Sequence, residues 1–311
     1  MRAVLADVVD GSTRLSVQDI PVPHPGPGQV RVKVAAAGIN PVDLGNLADP
    51  SWAGLLSPWI PGYDVAGVVD AVGDDVPHAA IGRRCMAMTR FPRGQGGYAE
   101  YTVVDEGLLG YLSDSADLQA ATSIPLAAGT AQTVLQRLGP ASGRMLVLGA
   151  SGGVGLFLLQ LAASGGVQVV GVGRTRNHDI MLRSGALGCV DYRASDYLAT
   201  AVELAGGQFD TIVDLVGGSG VNAALAHLRD GGQICAIALP ELDLDHVIDA
   251  NQSFHGVLIR DDGDRTRELA ALFDKGALKA HVTHALPLDE VTEAHRLVES
   301  GEAGGKVVLV P

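Results

Sequence analysis

Cysteine is scarce in this chain and never paired. Cys85, Cys189 and Cys235 are the three in 311 residues, too far apart for a C-x-x-C motif, without an even disulfide framework, and too few for a four-cysteine zinc lobe. They read as small buried apolar residues. Histidine offers no helical ligand pair either: none of the nine stands four residues from another. His281 and His284, three apart, lie among Val and Thr residues that favour an extended segment. Basic residues are outnumbered, 22 Lys and Arg against 35 Asp and Glu for a formal net charge of -13, which disfavours general affinity for nucleic acid or anionic membranes. No apolar run reaches the length of a membrane span, and the opening residues MRAVLAD read as a strand, without the apolar core of a signal peptide. Internal repeats and low-complexity stretches are absent as well. A soluble cytoplasmic protein with neither nucleic-acid nor membrane partners is expected.

What is present fits a folded chain of about two domains. Hydrophobic residues make up 47% and charged residues 18%, which suits a large buried core and excludes a disordered chain. The first third is rich in β signals at residues 4–9, 15–20, 30–34, 65–72, 84–88 and 98–104, with a Pro/Gly turn over 21–28. An irregular antiparallel β-barrel or sandwich is expected there. From Asp117 the pattern becomes helix and strand in alternation. Helices are expected over 117–126, 130–138 and 156–163, and strands near Met145, Val167, Cys189, Thr211, Gln233 and His255. Such alternation builds a doubly wound parallel sheet. Asn177 and Gly185 suit the two ends of one intervening helix. Beyond about residue 262, a helix over 266–275, a strand-like stretch over 280–286, a helix over 288–300 and a strand over 306–310 are expected to return to the N-terminal domain. The fold class is therefore α/β, with a catalytic domain formed by residues 1–113 and 262–311 and a nucleotide domain formed by residues 114–261.

Residues 145–155, MLVLGASGGVG, are the most informative stretch. An apolar strand runs into glycines and then into a helix, and backbone that passes close to a pyrophosphate cannot carry side chains. Ala150 stands at the first glycine of the G-x-G-x-x-G fingerprint, Gly152 at the second and Gly155 at the third, with Gly149 just ahead. Ser151, Gly153 and Val154 complete the loop. About twenty residues on, where an NAD enzyme places an Asp or Glu for the ribose 2′-hydroxyl, the second strand ends in Gly173 and Arg174. A cation there favours a 2′-phosphate, so NADPH is the expected cofactor. Arg176 and Asn177 are candidates to assist at the phosphate; solvent exposure for Arg176 and helix capping for Asn177 are the alternatives.

Several motifs together resemble the medium-chain dehydrogenase/reductase superfamily and, within it, the zinc-free quinone oxidoreductase branch that includes zeta-crystallin-like proteins. They are AAGINPVD (36–43), PGYDVAGVV (61–69), GGYAEY (96–101), LAAGTA (126–131), the glycine loop, FDTIVDLVGG (209–218) and GKVVL (305–309). The resemblance covers nearly the whole length. It implies a Rossmann domain, a GroES-like catalytic domain and a homodimer formed by edge pairing of the nucleotide sheets. Zinc relatives carry a Cys where this chain has Asn40 and Gly-His-Glu where it has Gly62, Tyr63 and Asp64. Asn and Tyr are poor Zn ligands, so no metal is expected.

The resemblance also implies the site residues. Asn40, Asp43 and Tyr63 surround the vacated metal position. Asn40 or Tyr63 is a candidate donor to a carbonyl oxygen, and Tyr63 a candidate proton source, although an ordinary phenol pKa near 10 makes that demanding. The alternative is structural, with Asn40 and Asp43 capping a turn and Tyr63 packed with its hydroxyl satisfied. Thr130, Tyr192, Leu215, Val216, Leu239 and Lys306 are implied at the nucleotide. Without a Lewis acid, an activated alkene or quinone is an easier acceptor than a simple ketone. Hydride transfer from NADPH to a quinone or α,β-unsaturated carbonyl is thus the expected function. An enoyl-thioester reductase and a non-catalytic NADPH-binding protein, sensing or structural, are the alternatives. The apolar residues Trp52, Leu55, Leu56 and Trp59 are either pocket wall or core.

Overall fold

The computed structural model describes residues 1–92, 96–139 and 143–311. Two compact units divide the chain: Met1–Gly129 with Ile259–Pro311, and Thr130–Leu258.

The first unit opens with an antiparallel ribbon, β1 (Arg2–Val9) and β2 (Ser12–Asp19). Its main sheet is organised around β3 (Gln29–Gly38), whose valines at 30, 32 and 34 all face the core. Helix α1 (Pro41–Ala48) follows, begun by a proline whose missing N–H costs nothing in a first turn. Then come β4 (Asp64–Val72), β5 (Arg84–Met88), β6 (Tyr101–Asp105) and β7 (Gly110–Tyr111). β4 runs antiparallel along one side of β3, while β6 and the C-terminal strand share the other. The register of β3 against β4 shifts twice, between Arg31 and Val32 and between Val34 and Ala36, so the antiparallel sheet is irregular as expected. Helix α2 (Leu118–Ala121) is shorter than the pattern suggests. Asp117 caps it, and Pro125, unable to continue a helix as a donor, begins α3 (Pro125–Leu138) instead.

The second unit alternates strand and helix: β8 (Arg144–Leu148), α4 (Gly153–Ser164), β9 (Gln168–Val172), α5 (His178–Arg183), β10 (Gly188–Val190), α6 (Tyr197–Ala205), β11 (Phe209–Asp214), α7 (Asn222–Leu225), β12 (Leu228–Ala236), α8 (Leu244–Asp249) and β13 (Ser253–Gly256). All six strands are parallel, in the order β10-β9-β8-β11-β12-β13. This is the doubly wound order, with its switch point between β8 and β11.

The chain then returns to the first unit through α9 (Gly263–Asp274), β14 (Val282–Pro287), α10 (Val291–Glu299) and β15 (Lys306–Val310). β15 pairs parallel with β14 and antiparallel with β3, so the returning tail completes the first unit's sheet. His284 lies in β14 and His281 directly precedes it. The main cores are apolar, and a smaller cluster of Tyr63, Met88, Phe91, Leu126 and Ile259 stands apart in the first unit. Trp59 joins the buried set, Leu55 is half-buried, and Trp52 and Leu56 are exposed. Cys85 and Cys235 are buried and Cys189 half-buried.

Candidate active site

The switch point is built from close backbone contacts. β8 is buried throughout its apolar run and ends at Gly149, which turns at φ 79°. At Gly155 a Cβ would stand 2.5 Å from the Ala150 carbonyl oxygen and 2.6 Å from that of Gly149, so no side chain fits. Ala150, at the first fingerprint position, is buried and donates its N–H to Val172; its methyl group belongs to the fold. Gly152 is the N-cap of the twelve-residue α4. The first-turn N–H groups at Gly153, Val154 and Gly155 have no acceptor within the helix and suit an anion.

The ends of β9 and β10 supply the charge. Gly173 is buried, and a Cβ there would meet Ser151 Oγ at 3.0 Å, so the second loop packs on the first. Arg174 Nε donates to the Tyr192 hydroxyl at 3.0 Å, and this bond pulls the Tyr192 pKa down. Asp191 accepts from the hydroxyl and N–H of Thr175 and the N–H of Arg193, donors that hold its carboxyl at about 2. Residues 173–177 and 191–193 thus carry Arg174, Arg176 and Arg193 against one carboxylate, with no acid at the end of β9. Arg193 escaped the sequence reading; its signal is a second cation directly after the third strand. Arg176 is exposed, and Asn177 stands at the N-cap position of α5 without a side-chain cap bond.

At the ends of β11 and β12, Asp214 folds the turn by accepting from the N–H groups of Val216 and Gly217. Leu215 is half-buried, but Val216 is 67% and Leu239 91% exposed. Gly218 donates to the Leu239 carbonyl, joining the two loops. Apolar side chains at the carboxyl ends of parallel strands suit the flat faces of a dinucleotide. Thr130 is buried in α3. These residues fit a dinucleotide, and the three arginines suit an additional phosphate.

Asn40, Asp43 and Tyr63 lie in the first unit, and all three are buried. Asn40 caps α1. Its N–H donates to Asp43 Oδ2 at 2.8 Å, its Nδ2 to Asp64 Oδ2 at 2.8 Å, and its Oδ1 accepts from Lys306 Nζ at 2.6 Å. Lys306 also donates to the Ile39 carbonyl at 2.9 Å, so two of its three hydrogens are engaged within the first unit. Asp64 Oδ1 accepts from the Leu126 N–H. Burial pushes the Asp43 carboxyl up to about 7 and the Asp64 carboxyl up to about 6. Asp43 Oδ1 has no donor at ordinary hydrogen-bond distance, and the Tyr98 hydroxyl is the polar group near it. Tyr98 in turn stands 3.4 Å from His295 Nε2.

Tyr63 is differently placed. Its hydroxyl donates to the Pro92 carbonyl at 2.7 Å and accepts from Asn46 Nδ2 at 2.8 Å. Its ring packs on Phe91, 4.9 Å between centroids, and Phe91 on Trp52 at 6.1 Å. Donation to a substrate would require the Tyr63 hydrogen to leave Pro92.

A zinc ion does not fit the donors at this place. Asn40 Oδ1 faces an ammonium, both oxygens of Asp64 accept N–H groups, and the Tyr63 hydroxyl is doubly bonded. No group of three or more His, Cys, Asp or Glu side chains suited to a metal occurs among the described residues. No helix among them is long and apolar enough to cross a membrane.

Comparison with known proteins matches residues 26–114 to the alcohol dehydrogenase GroES-like domain and residues 184–309 to a zinc-binding dehydrogenase domain. The quinone oxidoreductase of Pongo abelii is 30% identical over 324 residues, covering 100% of this chain and 98% of that protein. The chloroplastic NADPH-dependent alkenal/one oxidoreductase of Arabidopsis thaliana is also 30% identical, covering 94% of this chain and 75% of that one. Among solved structures, one described as an NAD-dependent alcohol dehydrogenase superposes with a TM-score of 0.89 at 29% identity, covering 100% of both chains. Both forms of the nicotinamide cofactor are thus named among similar proteins, and the choice falls to this chain's own residues.

Proposed function

Since this chain belongs to the medium-chain dehydrogenase/reductase superfamily, in its zeta-crystallin-like quinone oxidoreductase branch, we propose that it reduces a quinone or an α,β-unsaturated carbonyl with NADPH and without a metal. The observation that carries this reading is Arg174, which extends to Tyr192 from the strand end where an acid would serve NAD. The glycine loop and the α4 N-terminus would hold the pyrophosphate. Arg174, with Arg176 and Arg193, would hold the 2′-phosphate, and Tyr192, Val216 and Leu239 would cover the apolar faces. When bound, NADPH supplies the hydride.

Asn40 supplies the hydrogen bond. One Nδ2 hydrogen goes to Asp64, and the other has no acceptor among the described residues; it would meet the substrate oxygen that gains charge. Asp43 caps α1 and orders the Asn40 backbone. Tyr63, its hydroxyl engaged, forms an aromatic wall with Phe91. An electron-poor acceptor suits a site that offers one amide donor and a donor set unsuited to zinc.

Steady-state assays test this with NADPH and NADH against quinones, free enones and enoyl thioesters. Turnover of quinones or free enones with NADPH is the expected result. No turnover, or a clear preference for NADH, would overturn it. We also propose a homodimer through β13, the edge strand of the parallel sheet, whose Phe254 is 41% exposed, with Ile248 of the preceding α8 at 74%. Light scattering on wild type and Phe254→Lys tests it; a monomeric wild type would refute it.

A further inference from the structure

The fold buries three ionisable side chains around one amide. Lys306, Asp64 and Asp43 are 6%, 0% and 1% exposed, and Asn40 among them is 2% exposed. Lys306 begins β15, Asp64 begins β4, and Asn40 closes the step from β3 to α1, so three strand ends of one sheet converge on the carboxamide. Buried charges are costly even when paired, and backbone groups alone can hold an amide. The cluster therefore calls for a reason beyond stability.

Its bonds have a polarity. An ammonium meets the amide oxygen at 2.6 Å, and a carboxylate meets the amide nitrogen at 2.8 Å. Turned end for end, the amide would set its NH2 against the ammonium and its oxygen against the carboxylate, so the charges select one orientation. The ammonium also draws electron density toward Oδ1, which strengthens the remaining N–H as a donor. Asn40 is buried, and that N–H has no acceptor among the described residues, which leaves it uncommitted for an incoming oxygen. Burial pushes the Lys306 pKa down, and the facing Asp64 and Asp43 carboxyls push against that.

We propose that Lys306 and Asp64 are positioning residues, which clamp the Asn40 carboxamide so that its uncommitted N–H, and not its carbonyl, meets the substrate. The inference rests on Asn40 as the donor in the proposed reaction. It restricts substrates to those whose acceptor oxygen gains negative charge as hydride arrives: quinone carbonyls and enones, but not isolated alkenes or imines.

The test combines kinetics with nitrogen-15 labelling of asparagine in the full-length protein. The Asn40 side-chain resonances are assigned by their loss in Asn40→Asp. In Lys306→Met and in Asp64→Asn, which keeps the shape and removes the charge, these resonances should shift and exchange faster with solvent. The kcat for quinone or enone should fall about tenfold to a hundredfold with KM for NADPH unchanged, and Lys306→Arg should recover part of it. Unmoved amide resonances in Asp64→Asn, or a kcat that falls only in proportion to lost folded protein, would overturn the proposal. If the resonances respond but the wild type reduces no quinone or enone, the clamp stands and the proposed reaction fails.

Discussion

Lys306 and Asn40, 266 positions apart in the chain, meet at 2.6 Å in a buried hydrogen bond from ammonium to amide oxygen. The returning C-terminal strand therefore does more than complete a sheet: it brings the Lys306 amine to the residue that caps α1. Asp64 answers from the other side of the same amide, so the three groups form one hydrogen-bonded chain.

Replacing Arg174 by Asp should weaken NADPH binding about tenfold to a hundredfold while changing NADH affinity by less than about threefold. Fluorescence titration of each nucleotide reads the ratio. Equal losses would show that the 2′-phosphate is held elsewhere.

Removing the Tyr63 hydroxyl as Tyr63→Phe leaves Asn46 and the Pro92 carbonyl without their bonds. We expect a stability loss of about 1–3 kcal/mol with most of kcat retained. Thermal unfolding and initial rates measure the two. A large fall in kcat at unchanged Tm would instead make Tyr63 a proton donor.

Two glycine substitutions separate packing from nucleotide contact. Gly155→Ala drives a methyl group to 2.5 Å from the Ala150 carbonyl oxygen, and a loss of about 1–3 kcal/mol is expected. At Gly152 the nearest atom to a Cβ is the Gly149 oxygen at 3.3 Å, so Gly152→Ala should keep the fold and weaken the nucleotide. Denaturation curves and nucleotide titrations distinguish them.

Burial pushes His295 down to about 4, from an ordinary value near 6.5. The unfolded chain therefore takes up the proton first. The stabilisation from a neutral His295 is full above pH 6.5 and is lost as pH falls toward 4, by at most about 3 kcal/mol. Asp43 and Asp64 act in the opposite sense: their raised values mean stability declines as pH rises from about 4 through 6 and 7. The difference between wild type and His295→Gln isolates the histidine. The stability at pH 7.5 relative to pH 4.5 should fall in the variant compared with wild type, because the opposing contribution of the two carboxyls remains, and an unchanged pH response would refute the assignment.

Much of the second unit was legible because its requirements are local. The glycine loop needs backbone approach at Gly149 and Gly155, and Arg174 follows directly on a strand whose end can be read from Val172. Arg193 is legible in kind, as a second cation just after the third strand of this unit. In the first unit, the short helix at Leu118–Ala121 was read as longer because periodicity ignored the break at Pro125. The role of Asp64 is not legible in sequence, because its partners Asn40 and Leu126 lie 24 and 62 positions away. Nothing in sequence separates a phenol directed at a substrate from one held by Pro92, because their partner lies 29 positions away.

By itself the sequence determined the alternation of strands and helices, the glycine turn and the charge at the end of β9, since each depends on neighbours within a few residues. Only the tertiary structure decided which polar groups meet. Hydrogen bonds reach about 3 Å, and Asn40, Asp64 and Lys306 come within that reach only when β4 and β15 have paired with β3 on opposite sides.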